Sequence, residues 1–152
     1  MECSIARALD VVGERWSLLI LRDAFYGVRR FDDFQRDLGV ARNILTDRLA
    51  KLVASGVLER IQYEQRPPRF EYKLTQKGRE LLPVLLTMMH WGDRWSTDDS
   101  PPVTLTHTRC GHDTHGVLTC AHCGEELKRS ELRVHPIRIA GIRLEDAATT
   151  LS

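Results

Sequence analysis

Four residues in the C-terminal third have the types and spacing to hold a metal ion. His107 and Cys110 are two residues apart, Cys120 and Cys123 are two residues apart, and nine residues separate the pairs. A two-residue gap lets both donors of a turn reach one ion. Gly111 and Gly124 directly follow the second cysteine of each pair. Glycine there lets the chain turn tightly while backbone amides approach the sulfurs. Thiolates and an imidazole in a tetrahedron suit a structural Zn2+, and four filled positions leave no place for a reactive water. By spacing, His107 leads His112, His115 and His122 as the fourth ligand. The alternatives are a metal-free pair of turns or a Cys120–Cys123 disulfide. A C-x-x-C redox enzyme would need a βαβ pattern, which is not visible. No phosphate-binding glycine loop, dinucleotide fingerprint or nucleophile–base motif is present. The chain is therefore expected not to be an enzyme. His90 and His135 stand alone and read as surface or packing residues.

A second constellation lies in the first half. From Val28 to Arg79 there are 12 Lys/Arg against seven Asp/Glu, a local net of +5, while the whole 152-residue chain carries only +1. Positive charge is gathered where a nucleic-acid surface would need it. Within this stretch "RNILTDRLAKLV" places Leu45, Leu49, Leu52 and Val53 on one helical face. Asn43, Thr46, Asp47, Ala50 and Lys51 share the opposite face, and Arg42 stands at its N-terminal end. That ridge has hydrogen-bonding groups and little bulk, so it can enter a groove. Arg48 lies nearer the buried face and reads equally as a DNA contact or as an ion pair tying helices together.

Several elements must position these residues. Helical periodicity predicts two helices around Gly13 within residues 4–26, the second with Trp16, Leu19, Ile20 and Asp23 close together. A helix over "RFDDFQRDLG" follows, with two early aspartates and Gly39 after it. Next come the polar-ridged helix and the strands "VLERIQYE" and "RFEYKLT", joined by a "QRPP" loop. A long apolar helix, "KGRELLPVLLTMMHWGDRW", has Pro83 in its first turns. This order is that of a winged helix-turn-helix, with one helix reading base edges and a basic-tipped wing straddling a phosphate strand. Arg66 and Arg69 flank the wing tip. Arg29 and Arg30 precede a helix whose amides could share a phosphate.

The expected fold is mainly α with a small β-hairpin, an α+β winged helix over residues 1–95. A linker at 96–102 leads to a small metal-binding β module and a loosely ordered tail at 103–152. The composition, 42% apolar and 28% charged, is that of a soluble domain. No basic-then-apolar leader opens the chain and no apolar run could span a bilayer, so a cytoplasmic location is expected.

The segments "GERWSLLILRDAFYGVRRFDDF", "LTDRLAKLVASGVLERIQY", "FEYKLTQKGRELLPVL" and "HWGDRW", with Cys3 before them, resemble the HxlR-type, MarR-like winged-helix transcriptional regulators. The resemblance covers roughly residues 3–95 and implies a sequence-specific regulator. It further implies a homodimer built from the first and last helices of this half, a pseudo-palindromic operator and control of nearby genes; an unidentified small-molecule effector is left open as a further partner. The polar helix face, the turn before the "RFDDFQRDLG" helix and the wing tip together offer Arg30, Arg42, Asn43, Thr46, Asp47, Arg48, Lys51, Arg66 and Arg69 as the candidate DNA contacts. Some members sense oxidants through the cysteine matching Cys3. Here no second cysteine lies in residues 1–95, so a structural, semi-buried Cys3 is the favoured reading. Some relatives also carry a zinc-ribbon-like tail. The competing function is a metal- or redox-responsive interaction module with little sequence-specific DNA binding.

Overall fold

The computed structural model describes residues 3–96 and 101–133. Much of the linker (97–100) and residues 134–152, including His135, lie outside the described residues. Among the described residues no helix is long and apolar enough to cross a membrane.

Helices α1 (Ser4–Val12) and α2 (Arg15–Phe25) precede α3 (Phe31–Leu38) and α4 (Arg42–Ala54). The periodic leucines close the core as their spacing requires. Leu45, Leu49 and Leu52 of α4 are buried against Ile20 and Leu21 of α2 and Phe34 of α3. Burying each such side chain contributes roughly 1.5–3 kcal/mol. Asp32 and Asp33 occupy the first turn of α3, where the helix dipole favours negative charge.

The wing is the antiparallel pair β1 (Leu58–Gln65) and β2 (Pro68–Leu74). The expected loop was one residue wider on each side. Pro68 instead opens β2, because a first strand residue needs no ladder N–H. The turn is Arg66–Pro67, whose peptide bond is cis. The connection before α3 joins the wing through a bridge between Arg30 and Glu71. The Tyr72 N–H also donates to the Arg29 carbonyl at 2.8 Å. Tyr72 meets Phe34 edge-on, with ring centroids 6.5 Å apart. These contacts fix the angle of the wing relative to α3 and α4.

The long apolar helix is two helices, α5 (Gln76–Arg79) and α6 (Leu82–Trp95). Pro83 explains the break. It has no N–H to bond back to the carbonyl of Arg79, and its ring would collide there. The chain therefore turns at Glu80–Leu81 and restarts with proline in the first turn of α6. Three faces of α6 have different neighbours. Leu81, just before it, and Leu85 pack on the core. Leu86 faces Gly116, and His90 stacks on His115 with ring centroids 4.4 Å apart. His90 thus packs against a neighbour, one of the two roles expected of it, although its partner lies far away in sequence. The third face carries Val84, Met88, Trp91 and Trp95, all exposed, Trp91 by 63%.

The C-terminal segment holds two small turns. Where a metal-binding β module is expected, the strands lie around the first candidate ligand pair. There β3 (Leu105–His107) and β4 (His112–Thr114) pair across the turn that holds His107 and Cys110. Gly111, at φ 75°, permits the turn there, and the His107 carbonyl accepts from both the Cys110 and Gly111 N–H groups. The second pair lies in a turn closed by a Thr119–Glu126 bridge, followed by a 3-10 turn at Arg129–Glu131.

Candidate nucleic-acid interface

The exposed face of α4 begins at Arg42 and runs through Asn43, Thr46, Asp47, Ala50 and Lys51. All six are exposed, as the helical wheel requires. Within the ridge the groups are already ordered. The Thr46 hydroxyl donates to the Arg42 carbonyl at 2.8 Å, so its oxygen can only accept from elsewhere. The Lys51 ammonium lies 3.0 Å from Asp47, one turn apart. Asn43, at the first turn, presents both an amide donor and an acceptor.

Arg48 turns inward. Its side chain is only 18% exposed and reaches Glu14 at 3.4 Å and Asp47 at 3.5 Å. Because Glu14 immediately precedes α2, this pair ties α4 to α2. The geometry favours the tie over the groove contact for this one arginine.

Beside the ridge, α3, the start of α4 and the wing enclose a groove of about 650 Å3. Arg30, Arg42, Arg60 and Arg69 line it, together with Thr46, Tyr63, Phe70 and the carboxylates of Asp32 and Asp33. Asp33 is held by Arg36 at 2.9 Å, and Asp32 lies 3.9 Å from Arg42. Arg69 meets Glu64 at 3.2 Å across the wing, while Arg66 is exposed at its tip. On the other side of the wing, a hydrogen bond from Lys73 holds the Glu71 carboxyl below the usual range, with Arg29 and Arg30 adding to the effect. Ridge and wing thus border one groove.

Sequence reading missed Arg60, Tyr63 and Phe70. The alternation of β1 could have placed Arg60 on the face of Tyr72, its ladder partner. Tyr63 could not be found this way, because a bulge between Gln62 and Glu64 changes the register there.

Cys3 is half-buried at the start of α1. The N–H groups of Ala6 and Ile5 hold its thiol below the usual range, with Arg7 assisting. In the C-terminal segment His107 Nδ1 lies 3.2 Å from Cys110 Sγ. The Cys120 thiol is lowered by the N–H groups of Cys123 and His122, and by Cys123 itself. Each pair is therefore formed, but no group of three or more metal-holding side chains converges among the described residues.

Residues 11–100 match the HxlR-like helix-turn-helix family. An uncharacterized HTH-type transcriptional regulator of Mycobacterium tuberculosis is 45% identical over 134 residues, covering 88% of this chain and 85% of the relative. One from Synechocystis is 39% identical over 104 residues, covering 68% and 77%. The crystal structure of PA1607, a candidate transcription factor, superposes with a TM-score of 0.79 at 40% identity, covering 88% of this chain and 94% of that one. The redox regulator HypR in its oxidized form follows at 0.57 and 37%, covering 64% and 99%. The relatives are regulators, not enzymes. A polar helix ridge beside an arginine-lined wing, on a scaffold shared with these proteins, makes this chain a member of the HxlR-like helix-turn-helix family and a DNA-binding transcriptional regulator.

Proposed function

We propose that the protein acts as a homodimeric repressor on a pseudo-palindromic operator. In each half-site α4 enters the major groove, and the wing lies against the neighbouring phosphate strand. Asn43, Thr46, Asp47 and Lys51 meet base edges or adjacent phosphates, Arg42 stands at the entrance, and Arg66 and Arg69 extend from the wing. The observation that carries the dimer is the apolar face of α6 that no described residue covers. Val84, Met88, Trp91 and Trp95 are exposed together at helical spacing, and Ile5 and Leu9 of α1 are exposed as well. A patch of this kind on one protein surface marks an interface. A two-fold partner then presents two copies of α4 to one duplex.

The wing is tested by Arg66→Ala. Affinity for the operator is expected to fall, and the slope of log K against log salt to become shallower by about 1, because one phosphate contact is lost. An unchanged affinity across the salt series would remove the wing from the interface.

For the C-terminal segment we propose a structural Zn2+ held by His107, Cys110, Cys120 and Cys123. Three observations support it: two turns with glycine at positive φ directly after a cysteine, the short His107–Cys110 approach, and the lowered Cys120 thiol. The donor types suit the ion, whose binding would draw together two pairs that lie apart in separate turns. The ion would supply cross-linking charge between them and no reactive position. Purified protein should contain about one zinc per chain, and Cys120→Ser should lose most of it. Equal zinc in both would contradict the assignment.

A further inference from the structure

The groove between α4 and the wing has arginines laid on aromatic rings. The guanidinium carbon of Arg60 lies 3.6 Å from the centroid of Phe70, that of Arg42 4.7 Å from Phe31, and that of Arg30 5.1 Å from Tyr63. The ladder explains the first contact. Arg60 faces Tyr72 and Gln62 faces Phe70, so Arg60 and Phe70 are diagonal neighbours on one face of the hairpin. The bulge explains the third. It re-aims Tyr63 out of the regular alternation and toward Arg30.

We propose that this groove is a phosphodiester clamp, in which Arg30, Arg42 and Arg60 grip the sugar-phosphate backbone of one DNA strand between α4 and the wing. Phe31, Tyr63 and Phe70 brace the three guanidiniums. The inference rests on the DNA-binding face described above and goes beyond it, because it assigns a site to Arg60 and to the three rings.

The chemistry follows from the shape of arginine. A guanidinium that lies over a ring is attracted to the ring face and keeps its N–H edge free. One that is paired with a carboxylate has part of that edge occupied. Phosphate oxygens are recognised by the edge, two N–H groups at a time. The rings also restrict the rotamers before DNA arrives, so less ordering cost remains at binding. The acidic groups in the groove do not cancel its charge. Asp33 is engaged by Arg36, which leaves Asp32 beside Arg42 as the one competing carboxylate among those lining residues. A clamp of this kind positions the duplex and carries no sequence information. It therefore acts alike on any duplex, unlike Asn43 on the ridge.

The test uses the full chain, a random-sequence double-stranded DNA probe and fluorescence anisotropy over a salt series. Arg60→Ala should weaken binding about tenfold at low salt. Its log–log salt slope should become shallower by about 0.9, the signature of one lost phosphate contact. Arg60→Lys should recover the slope, because the charge is kept. Phe70→Leu should weaken binding with the slope unchanged, because only the brace is removed. Arg60→Ala binding as tightly as the wild type, or binding more weakly with the wild-type slope, would overturn the clamp. A wild-type chain that binds its own upstream DNA but not the random probe would overturn the clamp alone, and one that binds neither would overturn the DNA-binding face with it, which separates the two failures.

Discussion

With Met88 and Trp91 both changed to glutamate, we expect the protein to run as a monomer and to lose operator affinity by about a hundredfold or more. Both side chains are at least half exposed in the single chain, Met88 by 50% and Trp91 by 63%, so the changes leave the core untouched. They lie on the α6 face that neither the core nor the described part of the C-terminal segment covers. In a two-fold interface each residue meets its own counterpart region, so two substitutions introduce four carboxylates into one apolar contact. Desolvating them there costs more than the contact can return. Each half-site must then be bound alone, and the gain from linking two recognition helices disappears. Light scattering after size exclusion gives the mass, and far-UV circular dichroism checks that helix content is kept. A variant that remains dimeric would place the interface elsewhere.

The second large effect is expected at Gly78. Gly78→Ala should destabilise the protein by about 3 kcal/mol, at the upper end of ordinary overpacking. A Cβ there would run into the backbone carbonyl of Val57 and meet Leu74 Cδ2 at 3.0 Å. A carbonyl of the main chain cannot swing aside as a long side chain can. The residue also sits in a tight junction. The Thr75 hydroxyl accepts from the Gly78 N–H at 3.1 Å and donates to the Gly56 carbonyl at 2.6 Å. The wing, the end of α4 and the start of α5 are thus joined at one point. Thermal unfolding should show a fall of at least about 10 °C. A melting curve matching the wild type would mean that Val57 and its neighbours can shift freely.

These two sites differ in how far the sequence announces them. The apolar face of α6 is visible as an excess of large apolar residues over what one helix can bury. The ridge of α4 is equally legible, since Leu45, Leu49 and Leu52 fix the buried face and leave Asn43, Thr46 and Lys51 outside. Gly78 is not legible as a packing contact, because the Val57 carbonyl comes to it from 21 residues earlier in the chain. The break before α6 could be read from Pro83, whose missing N–H acts locally, yet it is hidden by the apolar periodicity that runs across it. His90 and His115 meet only because Leu86 and Gly116 bring α6 and the C-terminal segment together. The arginine–aromatic contacts fall between these cases. Arg60 and Phe70 follow from the hairpin register, while Tyr63 depends on a bulge that no alternation pattern contains.

The central claim is that two copies of the α4 ridge, each with its wing alongside, read one duplex from the same side. Hydroxyl-radical footprinting across the DNA upstream of the gene tests it most directly, with the wild type and Asn43→Ala compared. The account predicts two protected stretches with centres about one helical turn apart, on one face of the duplex, both weakened in the variant. A single protected patch, or a footprint that Asn43→Ala leaves unaltered, would contradict it.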